Sequence, residues 1–296
     1  MADKREEVSN RFKSIQASIC KSIEGCDGGG VFTTDEWTRP GGGGGITRVL
    51  ENAAIIEKGG VNFSAVHGEL SGDVARTLNV VGKHFFATGV SIVMHPVNPW
   101  VPIIHMNIRY FELDSGDWWF GGGMDLTPHY ISQDQAKRFH DQLKQICEQH
   151  GMDYAKYAEW ARSYFYIPHR GESRGVGGLF FDRLHEQSTG RSFEELFAFV
   201  CSVGEQFAPI YTQLINENRN KAWTEAHKAF QLFRRSRYAE FNLIYDKGTR
   251  FGLETSGRID SIFMSLPPLT GWKYAYAFGP EETATIELLR SDYAIR

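Results

Sequence analysis

Ile103-Ile104-His105-Met106-Asn107-Ile108-Arg109-Tyr110-Phe111 carries two chemistries in one alternation. Successive side chains of a strand point to opposite faces. Ile104, Met106, Ile108 and Tyr110 therefore form one apolar side, while His105, Asn107 and Arg109 share the other. One side packs; the other offers an acid/base, an amide and a fixed cation in a row. A few residues later, Gly121-Gly122-Gly123-Met124-Asp125 reads as a turn where bare backbone approaches a ligand closely. The two segments together predict the floor of a site for an anionic substrate. The plainer reading is an edge strand with its polar side in water.

Outward from this stretch, sheet-forming segments are predicted near 47–57, 61–69, 88–95, 102–113 and 117–126, punctuated by Gly and Pro. Val8, Phe12, Ile15, Ile19 and Ile23 recur at helical spacing and predict an amphipathic leading helix over about 6–24. Ser132 is placed to cap a helix reaching about 149, and helical periodicity returns near 154–166, 192–216 and 221–236. Further strands are predicted at 177–181, 238–245, 260–265 and 272–278, followed by a short C-terminal helix. Strands in sequential runs, not in β-α-β alternation, predict an α+β fold: a large, mostly antiparallel sheet flanked on both faces by helices. No linker divides the 296 residues, so one domain is expected over 1–296, with 1–30 as leading helix and loop.

Thirty-two basic against 36 acidic residues, a net charge of −4, with no basic run or tail, argue against nucleic-acid binding, so any cationic site must be local. Four widely spaced cysteines, Cys20, Cys26, Cys147 and Cys201, indicate neither a disulfide framework nor a thiolate zinc site and fit a reducing compartment. The charged start Met1-Ala2-Asp3-Lys4-Arg5-Glu6-Glu7 resembles neither a secretory nor a transit signal, and no apolar run approaches the ~20 residues of a membrane span. A cytoplasmic location without integral membrane contact is the expectation.

The tract Gly41–Gly45 is followed by Ile46-Thr47-Arg48 in place of Gly-Lys-Ser/Thr, and Gly175-Val176-Gly177-Gly178 lacks dinucleotide spacing, so nucleotide and flavin signatures are absent. The tract itself reads equally as a mobile loop over a pocket or as a spacer. Arg109, Arg170, Arg174, Arg250 and Arg258 sit beside glycines or on predicted strands, placements suited to a cleft. Guanidinium forks bind carboxylates bidentately, so the implied ligand is a polycarboxylate; the alternative is ordinary ion pairs with the chain's own acids. His95, His105, His140 and His169 could gather around a metal, but their spacing matches no ligand motif, and acid/base, substrate-contact or packing roles compete. His67, His84 and His129 read as surface or satisfied core residues. Asp125 reads as a carboxylate that accepts several N–H bonds or as an Asx-turn cap before Pro128.

Six motifs taken together are similar to those of one family: Gly43-Gly44-Gly45-Ile46-Thr47-Arg48-Val49-Leu50-Glu51, Ser91-Ile92-Val93-Met94-His95-Pro96, the segment His105 to Phe111, Trp118-Trp119-Phe120-Gly121-Gly122-Gly123-Met124-Asp125-Leu126-Thr127-Pro128, Arg174-Gly175-Val176-Gly177-Gly178-Leu179-Phe180-Phe181-Asp182, and Tyr238-Ala239-Glu240-Phe241-Asn242-Leu243-Ile244-Tyr245-Asp246. The resemblance is to the oxygen-dependent coproporphyrinogen III oxidases of haem biosynthesis and covers most of 30–275. It implies oxidative decarboxylation of two propionates of coproporphyrinogen III to vinyl groups, giving protoporphyrinogen IX, carbon dioxide and hydrogen peroxide. It also implies a homodimer, with 238–273 as the dimer-forming region.

By the same resemblance His105 matches a proton donor, and Ser91, Asn107, Ile108, Arg109, Ser256, Gly257 and Arg258 match substrate-binding positions. His95, His105, His140 and His169 match histidines linked to metal dependence in some members. The expected catalytic set is His105, Asp125 and Arg109, with Asp125 accepting pyrrole N–H bonds at the centre of the macrocycle and standing on a polar surface opposed to that of His105. Arg174 joins the substrate-binding set. Molecular oxygen is the expected co-substrate, with no organic cofactor; a divalent metal is the alternative. A non-catalytic tetrapyrrole carrier would share the arginines without needing His105 and Asp125. A metal-dependent dioxygenase would need a two-histidine, one-carboxylate triad.

Overall fold

Strand alternation holds where it was clearest. In the computed structural model, Ile104, Met106, Ile108 and Tyr110 are all at most 2% exposed, while His105, Asn107 and Arg109 on the opposite face are half-buried. The structure describes residues 2–70, 72, 75–76, 80–254 and 257–291, so Ser256 lies outside the described residues. Its strands are β1 (Thr33–Thr38), β2 (Gly43–Glu51), β3 (Ile56–Glu69), β4 (His84–Pro96), β5 (Ile103–Leu113), β6 (Trp118–Thr127), β7 (Tyr166–Ile167), β8 (Glu172–Ser173) and β9 (Gly178–Leu184). Seven form one antiparallel sheet in the order β1-β2-β3-β4-β5-β6-β9, and β7 and β8 form a separate hairpin. With helices on both faces, this is the expected α+β architecture.

The core lies on the Ile104–Ile108 face. The Ala2–Asp27 helix buries Val8, Phe12, Ile15, Ile19 and Ile23 there, and the Phe193–Asn218 helix packs beside it over β5 and β6. Gln16 enters this apolar layer with its amide donating to Ile46 O at 2.8 Å and Val61 O at 2.7 Å, which satisfies Nε2 while Oε1 has no partner among the described residues. Ser132 caps the Gln133–Gln149 helix as expected, accepting from the Gln135 N–H. Among the described residues no helix is long and apolar enough to cross a membrane.

Five readings are corrected. Residues 238–245 are not a strand but the end of the Glu225–Ile244 helix, 260–265 falls largely in the Ile259–Phe263 helix, and 272–278 has no regular structure. The Glu225–Ile244 helix is buried on almost every side from Phe230 to Asn242, including Arg234, Arg235, Arg237 and Glu240, so it shows no apolar stripe. The chance alternation of Phe241, Leu243 and Tyr245 then imitates a strand. In 272–278 the rings of Tyr276 and Phe278 pack on Phe230 and Phe233 instead of joining a ladder.

Fourth, the glycine tract is a hairpin turn running into a strand: Gly41 and Gly42 lie between β1 and β2, Gly43 pairs with β3 at φ +81°, which favours glycine, and Gly44 and Gly45 pair with both β1 and β3. Fifth, Gly121–Asp125 is strand, not turn, which removes the Asx-turn role for Asp125.

Candidate active site

Antiparallel register carries residues far apart in sequence onto one face of the sheet. One row of partners runs Asp35, Thr47, Asn62, Ser91, Asn107, Gly123 and Phe180 from β1 to β9. A second row contains Ser64, Gly89, Arg109 and Gly121, and a third contains Val93, His105, Asp125 and Gly178. The face opposite the core is thus polar and short of side chains.

His105 and Asp125 are direct cross-strand partners, not residues of opposed surfaces. His105 Nδ1 lies 2.7 Å from Asp125 Oδ1. Behind them, Arg174 Nη2 donates to both Asp125 oxygens at 2.8 and 2.7 Å, and Arg174 Nη1 donates to Asn242 Oδ1 at 3.0 Å. The Arg174 guanidinium is enclosed by the rings of Phe165, Tyr238 and Phe241, 4.3 to 4.6 Å from their centroids. Burial opposes charge on Asp125, yet Arg174 and His105 outweigh it and hold the carboxyl below its ordinary range. An ionised carboxylate only accepts, so Nδ1 of His105 carries the hydrogen of this bond, and it is Nε2 that faces away from Asp125. Arg174 is buried, so it supports Asp125 and does not present its fork to a ligand, unlike the substrate-contact role expected of it.

Arg109 lies farther along β5, where its Nη1 donates to Asn107 Oδ1 at 2.8 Å and its Nη2 to Asp182 Oδ1 at 2.9 Å. The Ile108 side chain is turned into the core, so only its backbone belongs to this face. Ser91 stands between Asn62 and Asn107 in register. Past β3 and β2, the Ile259–Phe263 helix closes over the sheet: Asn62 Nδ2 donates to Ser261 O at 2.8 Å, and Thr47 Oγ1 shares a hydrogen with Ser261 Oγ at 2.9 Å. Arg258 stands at the N-cap position of that helix, next to Gly257, and its side chain pairs with Asp35.

Every arginine singled out by sequence has an acidic partner: Arg109 with Asp182, Arg170 with Glu240, Arg174 with Asp125, Arg250 with Glu254, and Arg258 with Asp35. All five thus have an ion-pair partner within the chain, and they differ in burial, Arg174 at 2% against Arg109 at 36% exposure.

The four candidate metal histidines are held in separate settings. His95 Nε2 bonds Ser265 O, His140 bonds the Tyr154 hydroxyl and Val176 O, and His169 bonds Tyr245 and Glu240, while His105 bonds Asp125. Among the described residues no three His, Cys, Asp or Glu side chains gather as metal ligands, so these histidines do not fit a shared ion. His129, expected as a surface or satisfied core residue, is fully buried with Nδ1 on Pro99 O and Nε2 without a partner among the described residues.

A family model described as Coproporphyrinogen III oxidase matches residues 7–294, nearly the whole chain. The chain belongs to the coproporphyrinogen III oxidase family. Its family is one of enzymes of haem biosynthesis, and the substrate the family implies is coproporphyrinogen III, a tetracarboxylate. Asp182, Asn62, Thr47, Ser261 and Asp35 are polar residues of this coproporphyrinogen oxidase face that sequence reading left aside. For Asp182 a signal existed, since Gly178, Phe180 and Asp182 share one strand face as Leu179 and Phe181 share the other.

Proposed function

We propose that this coproporphyrinogen oxidase is the oxygen-dependent type and converts two propionates of coproporphyrinogen III to vinyl groups, giving protoporphyrinogen IX. The observation that carries the reading is the joining of His105, Asp125 and Arg174 in one hydrogen-bonded chain on a polar sheet face that also holds Arg109. Arg109 is accessible to a propionate, and a charge-assisted fork is suited to hold it.

In each round the C–H bond on the ring-adjacent carbon breaks and its proton passes to a base, for which His105 Nε2 is the candidate. The electron pair of that bond reaches oxygen through the electron-rich pyrrole and, with two protons, forms hydrogen peroxide. The bond to the carboxylate breaks as carbon dioxide leaves, and its pair becomes the vinyl double bond. Asp125 is buried behind His105, so its part in this scheme is to fix the histidine tautomer and stabilise the imidazolium formed. Contact of Asp125 with the pyrrole N–H groups would require the site to open. Such a pyrrole can react with oxygen without a flavin or haem, and we propose catalysis without organic cofactor or metal.

We further propose a homodimer through 238–273. Leu243, Ile244, Leu253, Ile259, Leu269 and Trp272 are exposed apolar side chains in this region, and they would meet by side-chain packing because its described residues form no strand to pair. The four free thiols fit the reducing cytoplasm.

The test is turnover of coproporphyrinogen III in air against nitrogen. Vinyl-bearing product and peroxide in air alone support the proposal, and equal turnover under nitrogen overturns the oxygen requirement. Activity abolished by a strong chelator and restored by one divalent metal overturns the metal-free part. Sedimentation as a monomer at micromolar concentration overturns the dimer.

A further inference from the structure

Arg109 lies over a strip of sheet stripped of side chains. Its register partners are Gly89 on β4 and Gly121 on β6. Its Nη2 reaches past Gly121 to Asp182 on β9, and Nη1 is held by Asn107 on its own strand. A Cβ at Gly121 would stand 2.6 Å from Asp182 Oδ1 and 2.7 and 2.8 Å from Arg109 Nε and Nη2. A side chain at 121 therefore displaces the ion pair from this geometry.

We infer that Asp182 and Gly121 are positioning residues that aim the Arg109 fork at the substrate carboxylate and so set the affinity of the site. The inference rests on the reading that Arg109 meets that carboxylate. A free arginine side chain samples many rotamers and must give up that freedom when it grips a ligand. Anchoring one edge to Asp182 and the other to Asn107, over a bare strand, orders the fork before the ligand arrives. Arg109 and Asp182 are 36% and 34% exposed, so the donors not used in these two bonds remain within reach. The pair is neutral as a unit. Its recognition of a carboxylate depends on short-range geometry and not on a general pull for anions, which favours a carboxylate placed at one position of a ligand.

The experiment compares KM and kcat for coproporphyrinogen III in Arg109→Ala, Asp182→Ala, Gly121→Ala and the doubles Asp182→Ala/Arg109→Ala and Gly121→Ala/Arg109→Ala. Each single variant should raise KM about tenfold with little change in kcat, and neither double should be worse than Arg109→Ala alone, as expected of residues that act through one another. Asp182→Glu should recover part of the loss. Gly121→Ala changes no charge and meets only the ends of flexible side chains, so it carries the test if Asp182→Ala fails to fold. A raised KM in Arg109→Ala with KM unchanged in Asp182→Ala and Gly121→Ala overturns the inference and leaves the reading of Arg109 intact. Unchanged KM in Arg109→Ala removes both. Additive losses in the doubles also overturn it, because the residues would then act separately.

Discussion

Two arginine–aspartate pairs stand on the same sheet face, and their burial separates their work. Arg174 and Asp125 are each 2% exposed, whereas Arg109 and Asp182 are 36% and 34% exposed. In the first pair both charges have left water, so each must be answered inside the protein: the carboxylate by Arg174 and His105, the guanidinium by Asn242 and three rings. Such a pair can hold its neighbours in place, and the donor it leaves unused, Arg174 Nε, is buried without a partner among the described residues. The second pair keeps part of its hydration and can exchange partners. The same two residue types thus support the site in one place and, under the proposed function, meet substrate in the other.

The largest effect expected from this contrast is on stability. Arg174→Ala leaves Asp125 buried and uncompensated, which should cost about 3–5 kcal/mol in denaturant melts. Asp182→Ala should cost about 1 kcal/mol or less, as half-exposed pairs do. Equal losses for the two would break the contrast.

Next in size is turnover. Asp125→Asn alone strands the Arg174 charge, so the informative variant is Asp125→Asn with Arg174→Gln, which removes both charges and keeps approximate volume. It should fold and still lose at least about a hundredfold in kcat, roughly 2.7 kcal/mol of barrier. Near-normal kcat would reduce the buried pair to a packing device. His105→Ala should lose less wherever water can take the proton in its place, a difference read from kcat and its pH profile.

Binding comes third. Arg109→Ala should weaken substrate binding by roughly ten- to a hundredfold, and Arg109→Lys, which keeps charge but loses the fork, should fall between it and the parent. A lysine variant as weak as alanine would show that the fork, not the charge, carries the interaction.

The smallest effect is on the acid limb of stability, at a third ion-paired carboxylate. Burial opposes charge on Glu240, but hydrogen bonds from Arg170, Trp272 and His169 and the charge of Arg237 bring its carboxyl down from 4.5 to about 2. Because the folded value lies below the unfolded one, this stabilisation is complete above 4.5 and is lost as pH falls toward about 2. Glu240→Gln should flatten the stability curve in that window and leave its slope near neutral pH unchanged. An unaltered acid limb would mean that the carboxyl gains nothing from its partners.

Legibility from sequence differed by region for physical reasons. The alternation of β5 and the spacing of Val8, Phe12, Ile15, Ile19 and Ile23 were readable because each element has one wet and one dry side. The Glu225–Ile244 helix was misread at its end because it has no wet side over most of its length, and its buried arginines resemble surface residues until Glu57, Glu172 and Glu240 are placed beside them. β1 was missed because Thr33–Thr38 is a nearly all-exposed edge strand with one large apolar residue, Trp37. At the site, the residue types at His105, Arg109 and Asp125 were legible, but their partnerships were not.

The sequence by itself determined what is local: which side of β5 is dry, where Ser132 starts a helix, which segments carry charge without a phosphate loop, and which family the motifs resemble. Only the tertiary structure decided which acid each arginine meets. Arg174 finds Asp125 across 49 residues and Arg109 finds Asp182 across 73, through the register of β5, β6 and β9. Periodicity reports a side chain's face but not its partner, and a partner's distance and burial determine whether a charge becomes a prop or a binding group.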